Sequence, residues 1–158
     1  MNTNWFTKER NILLLVTIML GIAAVVFSHA QRAFDLDRPE RFPTIVWTGF
    51  RWWSLDIAAT SEARTLGLGE RGSYPENHGM LFLFDRPDRY GFWMKGMRFP
   101  IDIIFLSRGR VISIERSFQP SDRRIVTPPE PVDQVLEVNA GEADHLSPGD
   151  QVWYWRSF

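Results

Sequence analysis

The sequence contains no cysteine. This absence excludes disulfide bonds, a thiol nucleophile, a zinc site built on cysteine and a lipid anchor carried by a cysteine. An excess of charge of one sign is lacking as well, because the formal net charge is -1 at pH 7. The chain therefore has no basic excess that would indicate binding to nucleic acid. We therefore expect no nucleic-acid partner.

Histidine is scarce, with three in 158 residues. The spacing of His78 and His145 from nearby carboxylates does not resemble a set of metal ligands, so we predict no metal site and place both histidines in exposed turns. The chain also lacks a Gly-x-Ser-x-Gly elbow, a phosphate-binding loop and a dinucleotide fingerprint. We predict no cofactor.

One long uncharged run is present near the N-terminus, at residues 12–27 after Lys8 and Arg10. Its length lies between that of a signal-peptide core and that of a membrane span. The small residues Ser28 and Ala30 favour cleavage after Ala30, and an uncleaved membrane anchor is the alternative. In both cases the preceding positive charges predict that the rest of the chain is exported to the periplasm or cell envelope.

The chain is long enough for one domain with a core, and 44% of its residues are hydrophobic. We divide it into a signal peptide or anchor (1–30), an exposed linker rich in charge and proline (31–43) and a folded domain (44–158).

Short apolar or alternating segments predict mainly β structure in this domain, with strands in 44–59, 80–84, 92–95, 100–106, 111–116, 132–138 and 151–156. Capping and helix-forming residues predict a short helix at 61–68, and 140–146 is predicted to be a second short helix or a helical turn. Turns are expected at 85–88 and, as a tight hairpin, at 107–110. The prediction is a compact β-sandwich or barrel-like domain with one or two short helices.

The stretch 90–106 is the first place to seek a site, because two apolar runs carry one charge each, Lys95 and Asp102. A buried charge is costly unless it is paired or hydrogen-bonded. We favour a structural ion pair between Lys95 and Asp102 that fixes strand register; the alternative is a binding pocket that includes Trp93.

Glu137 is a second carboxylate within an apolar strand, between Leu136 and Val138. Together with Asp102 it could supply the acid and base of a glycoside hydrolase. We favour a carboxylate that is satisfied by Arg64, Arg71 or backbone donors.

Aromatic residues are abundant, and several could line a groove for sugars or lipid headgroups: Trp47, Trp52, Trp53, Trp93, Trp153, Tyr154 and Trp155. Aromatic side chains dominate core energetics and suit strands. We predict that most of them belong to the core and that Trp93 is partly exposed.

Six sequence blocks, in order, resemble the DUF192 (UPF0127) family: Glu-Ala-Arg-Thr-Leu-Gly-Leu at 62–68 followed by Arg71, Gly-Met-Leu-Phe-Leu-Phe at 79–84, Phe-Trp-Met-Lys at 92–95, Pro-Ile-Asp-Ile-Ile-Phe at 100–105, Val-Leu-Glu-Val-Asn-Ala-Gly at 135–141 and Pro-Gly-Asp at 148–150. The resemblance implies one compact β-rich domain, often behind an export signal, and no settled activity. The family pattern usually has Asn-Thr where this chain has Gly96 and Met97, and usually Met where it has Gly69. Two polar side chains are thus missing beside Lys95.

The sequence as a whole favours an exported, non-catalytic binding or accessory module whose pocket lies near Trp93, Lys95, Asp102 and Glu137. Its expected partner is a small molecule or an envelope component, with membrane contact only through residues 12–27 if they are not cleaved. The alternatives are a hydrolase acting on an envelope glycan through Asp102 and Glu137, and a purely structural domain.

Overall fold

The computed structural model describes residues 45–155, so the predicted export segment, the predicted linker and residues 156–158 lie outside it. The described part contains seven strands and one helix: β1 (Ile45–Trp47), β2 (Trp52–Ala58), α1 (Ser61–Leu66), β3 (His78–Asp88), β4 (Ile101–Ser107), β5 (Arg110–Phe118), β6 (Val132–Asn139) and β7 (Trp153–Trp155). No helix within these residues is long and apolar enough to cross a bilayer.

The strands form one sheet in the order β5-β4-β6-β3-β2-β1-β7. Only β2 and β3 pair in parallel, since the connection through α1 returns the chain to the end of the sheet where β2 began. The sheet curls, and the chain just before β7 reaches β5: Gln151 forms an isolated bridge with Arg110, and the Val152 N–H donates to the Gly109 carbonyl at 2.8 Å. The fold is therefore mainly β, a curled half-barrel rather than a sandwich.

Two rows of opposed residues define the faces of the sheet. Leu81, Leu136 and Ile104 form one row and are fully buried. Met80, Glu137 and Ile103 form the next row and point to the other face, because side chains alternate along a strand. We call this second side the cavity face; α1 and the loop at 90–97 cover part of it. Glu137 thus lies in a row that is otherwise apolar.

The local predictions at the hairpin and the helix start are confirmed. Arg108 and Gly109, at φ 51 and φ 75, form the two-residue connection of the β4–β5 hairpin. Helix α1 starts at Ser61, and the Thr60 side chain accepts a 3.2 Å hydrogen bond from the Ala63 N–H. The helix ends at Leu66, earlier than predicted, because Gly67 leaves the helical conformation with φ 52.

Two segments predicted by local pattern were wrong. Strand β3 continues to Asp88 through the predicted turn at 85–88, with an irregular register between Leu83 and Asp88. Residues 92–95 form no strand; only Phe92 pairs, in a single bridge to Val126, because this segment lies over the cavity face and has no neighbouring strand.

Of the two structures predicted for 140–146, a short helix or a turn, the segment forms the turn. Its Gly141 and Ala143 N–H groups donate to the carboxylate of Asp102 instead of to helical carbonyls. A side chain from β4 therefore decides the backbone conformation of this segment.

The prediction that most of the aromatic residues lie in the core was also wrong. Trp53 is fully buried and Tyr154 is half-buried, but the other five tryptophans named above are exposed. Strands β1 and β7 lie at the end of the sheet order, where part of the surface is left uncovered. Trp93 is exposed as expected.

Candidate functional site

A cavity of about 690 Å³ opens on the cavity face between α1, the end of β3 and the loop at 90–97. Its walls include apolar and charged side chains, among them Arg64, Phe82, Phe92, Trp93, Lys95 and Glu137. The volume falls in the range that small-molecule sites occupy. Three of the four residues proposed from the sequence therefore meet here.

Glu137 supplies the buried polar group of this cavity. It is only 5% exposed, between Met80 and Ile103 on the neighbouring strands. Burial raises the pKa of its carboxyl to about 8, and within residues 45–155 no hydrogen bond or nearby charge offsets that desolvation. The carboxyl is therefore protonated at neutral pH, when it can donate one hydrogen bond and accept others.

The cations near Glu137 are held by other groups. Arg64 Nη1 donates to the Ala59 carbonyl at 2.6 Å and to the Leu83 carbonyl at 2.8 Å, and its guanidinium lies over the Phe84 ring. Arg71 pairs with Asp56 at 3.0 Å. Within residues 45–155, the prediction that Arg64, Arg71 or backbone donors satisfy Glu137 is thus not met: both arginines bind other groups, and no backbone N–H donates to this carboxyl.

The mouth of the cavity carries Trp93 and Lys95. Trp93 is 49% exposed, and Lys95 is exposed and lines both this cavity and a shallower neighbouring one. Within the described residues Lys95 has no salt bridge, so its ammonium group remains available at the rim. An ammonium group beside an exposed indole ring is suited to a bound anion with an apolar part.

Asp102 is not part of the cavity. It is fully buried; Oδ1 accepts the Ser117 N–H at 2.8 Å, and Oδ2 accepts the Gly141 and Ala143 N–H groups at 2.9 and 3.0 Å. Within the described residues Asp102 makes no ion pair with Lys95. The prediction that such a pair fixes the strand register is therefore wrong. Three backbone donors stabilise the carboxylate without a cation.

The relation between Asp102 and Glu137 also corrects the hydrolase alternative. Asp102 lies opposite Val138, whereas Glu137 lies opposite Ile103, so the two carboxyl groups point to opposite faces of the sheet. A glycosidase needs both groups on one side, flanking the same bond. They cannot act on a common substrate.

Comparison with known proteins supplies the family. The model of DUF192, described as an uncharacterized group, matches residues 44–154. The chain belongs to the DUF192 family. Comparison with curated protein sequences found no significant match.

Two crystal structures resemble this DUF192 domain, each with a TM-score of 0.65 and each over 70% of this chain. One is a protein of unknown function from Novosphingobium aromaticivorans DSM 12444, with 34% identity over 83% of its own chain. The other, from Sinorhizobium meliloti 1021, is named as a candidate transcription regulator and shows 30% identity over 90% of its chain. Both are similar to this chain, and neither name gives an established activity for it.

The positions at which this DUF192 member departs from the family pattern lie together at the cavity rim. A Cβ on Gly96 would lie 3.9 Å from the Cα of Gly69, and the Glu70 N–H donates to the Gly96 carbonyl at 3.0 Å. Both glycines line the shallower cavity that shares Lys95. A Cβ on Gly69 would meet the Leu66 carbonyl oxygen at 2.8 Å, so the backbone here has no room for a side chain at position 69.

Sequence reasoning missed the glycine that borders the buried carboxyl. A Cβ on Gly67 would lie 3.9 Å from Glu137 Oε2, although the two residues are distant in sequence. The signal in the sequence is a glycine near the end of a short predicted helix, which by itself indicates only where the helix ends.

No group of three metal-ligating side chains occurs within residues 45–155. His145 shares a 2.8 Å hydrogen bond with the Thr48 hydroxyl, and burial lowers its pKa. His78 is hydrogen-bonded to the Glu76 carbonyl. Neither histidine lines the cavity.

Proposed function

We propose that this DUF192 protein is an exported, non-catalytic binding module of the cell envelope, and that it binds a small amphipathic anion in the cavity above Glu137. The observation that carries the proposal is the Glu137 carboxyl itself. It is buried, kept neutral by desolvation and unpaired within the described residues, yet it borders a cavity large enough for a small molecule. No buried side-chain oxygen or nitrogen of the described residues lacks a partner, so the unpaired carboxyl oxygens reach the open cavity, where a ligand can bond to them.

The ligand class follows from the walls. Phe82 and Phe92 supply apolar surface beside the neutral carboxyl, which can donate a hydrogen bond to a ligand oxygen. Among the wall residues, Lys95, Arg64 and Arg86 outnumber the one exposed acidic residue, Asp85. We infer a ligand with an aromatic or acyl body, a polar atom at its inner end and an acidic group at the mouth.

The binding role is favoured over catalysis because the described part of the cavity wall holds no second buried carboxyl group beside Glu137. Within the described part of the cavity wall the other carboxylate is Asp85, which is exposed at the end of β3. Acid–base chemistry needs positioned groups that act on the same reacting bond. Export is supported by the sequence of residues 1–30, and intact-mass measurement of the cellular protein would show whether cleavage occurs after Ala30.

The experiment is a thermal-shift screen of the full chain against aryl carboxylates, aryl phosphates and short-chain fatty acids. A ligand at 100 times its Kd stabilises the folded state by about 2.7 kcal/mol, which is a shift of several degrees for a domain of this size. Glu137→Met, which removes the donor and acceptor at similar size, and Lys95→Met should each reduce the shift. Arg123→Met is the matched control, because Arg123 is exposed and lies outside the cavity wall.

Two results would overturn the proposal. One is a panel in which no compound raises the thermal midpoint of the wild-type chain. The other is a shift that survives both cavity variants unchanged, which would place the ligand elsewhere on the protein.

A further inference from the structure

Four exposed tryptophans on the neighbouring strands β2, β1 and β7 form a second surface. Trp47 on β1 lies directly opposite Trp52 on β2 and Trp153 on β7, and Trp155 follows two residues later on β7. Directly opposed residues share a face of the sheet, as do residues two apart on one strand. We call these four residues the tryptophan face.

The tryptophan face is apolar, and no residue within 45–155 covers it. Its members are 48%, 53%, 50% and 67% exposed in the order given above, and the Trp47 and Trp153 rings are in contact with centroids 5.3 Å apart. The remaining positions of the two residue rows are Ile45 and Ser54, so neither row contains a charge. Exposed apolar patches of this kind mark an interaction surface.

The chemistry of the rings selects a lipid bilayer as the partner. Tryptophan is enriched at membrane–water interfaces, because its ring is apolar and its N–H finds a polar partner at the headgroup level. The position of the uncharged run at 12–27 also favours a membrane. About 17 residues connect this run to β1, and such a connection spans at most about 60 Å when extended. An apolar segment in a bilayer would therefore keep β1 within reach of the same surface.

We propose that the tryptophan face binds the interfacial region of the membrane, so that the β domain lies on the bilayer. This inference goes beyond the binding of a small molecule and uses none of the cavity residues. Trp52 is the first residue of β2, and α1 follows the last residue, Ala58. The six residue steps between them, at about 3.3 Å each, place the tryptophan face about 20 Å from the cavity along β2.

The test uses tryptophan fluorescence of the full chain in lipid vesicles, with one set of vesicles containing lipids brominated near the headgroup. Trp5 is replaced by Phe throughout, so that the N-terminal region gives no signal. We expect the brominated lipid to quench the wild-type emission. The double variant Trp47→Ser with Trp153→Ser should lose about half of the quenched emission, since it removes two of four interfacial rings.

Ile125→Ser is the matched control, because Ile125 is 62% exposed and belongs neither to the tryptophan face nor to the cavity wall. It should leave the lipid-dependent quenching unchanged. If the double variant does not fold, Trp155→Ser replaces it, since Trp155 is the most exposed of the four.

The proposal is overturned if the chain does not float with vesicles, or if aqueous acrylamide but not brominated lipid quenches the face. It is overturned equally if neither quencher acts, which would mean that a second copy or another part of the chain covers the tryptophans. These outcomes are independent of the thermal-shift screen, so that failure of one proposal does not imply failure of the other.

Discussion

Gly67 lies against the carboxyl group of Glu137. A Cβ at position 67 would stand 3.9 Å from Glu137 Oε2 and 3.3 Å from the Cζ atom of Phe82. The same glycine ends helix α1, with φ 52, a conformation that other residues rarely adopt. One residue thus ends the helix and leaves open the space beside the buried carboxyl.

Gly67→Ala should therefore destabilise the domain by about 1–3 kcal/mol, through backbone strain and the close contact with Phe82. It should also reduce any ligand-induced thermal shift, because the new methyl group occupies the cavity side of the helix end. Gly72→Ala is the control, since a Cβ there meets nothing within 4 Å. Urea unfolding of the two variants checks the prediction, and equal midpoints would contradict it.

Glu137 should make stability depend on pH. Its pKa is raised to about 8 in the folded state, from 4.5 for the free group. The folded chain therefore keeps a proton that the unfolded chain loses between these values, and the free energy of unfolding should fall as pH rises from about 4.5 to about 8, then level off. The expected slope is on the order of 1 kcal/mol per pH unit for this group.

Glu137→Gln should remove that slope and exceed the wild type in stability above pH 8, while the two proteins converge near pH 4.5. Urea unfolding at a series of pH values measures the difference between the two curves. Glu130→Gln, at an exposed position, controls for a general effect of charge removal. Parallel curves for the wild type and Glu137→Gln would show that the carboxyl is ionised in the fold.

Asp102 and Lys95 should behave as unrelated residues. Asp102→Leu leaves three backbone N–H groups, one of them fully buried, without their acceptor and should cost about 3–5 kcal/mol, or prevent folding. Lys95→Met, at an exposed position, should change the free energy of unfolding by less than about 0.5 kcal/mol.

A double-mutant cycle of Lys95→Met with the milder Asp102→Asn decides whether the two side chains interact. The two effects should add within about 0.5 kcal/mol. A larger coupling energy would show that the two side chains interact, as the ion pair predicted from the sequence requires.

Gly96→Asn with Met97→Thr should give this chain the residues usual for the family at the cavity rim. Gly96 has φ 81, a conformation that asparagine tolerates, and its Cβ would meet only ordinary contacts at 3.8 and 3.9 Å. We expect a small fall of the thermal midpoint without ligand, because Met97 packs partly buried against the core, and an altered ranking of anionic compounds in the screen. A large loss of stability would mean that the glycine is required by the backbone.

Sequence patterns selected both Glu137 and Asp102 for the site, although only Glu137 lines the cavity, because local patterns do not show which side of the sheet each residue faces. Alternation correctly separated Asp102 from Ile101 and Ile103, and it identified Glu137 as a carboxylate in an apolar strand. Both acids gave the same local signal. Only the pairing of β4 with β6 shows that they face opposite sides, and only the loops packed on each side show which acid is hydrogen-bonded and which faces a cavity.

The tryptophans show the same limit at the surface. Strand propensity placed Trp47, Trp52, Trp153 and Trp155 in strands or next to them, but propensity does not say where a strand lies in the sheet. The order β2-β1-β7 at one end of the sheet decides that these rings share an uncovered face.

The sequence by itself determined the family, the mainly β class, the β4–β5 hairpin and the start of α1, because blocks of residues, alternation, turn chemistry and capping are local properties. The tertiary structure decided the half-barrel curl, the neutral state of Glu137, the backbone partners of Asp102 and the exposure of the tryptophans. Those features depend on which distant segments cover each side of the sheet, since burial and hydrogen bonding arise from contacts between residues far apart in the chain.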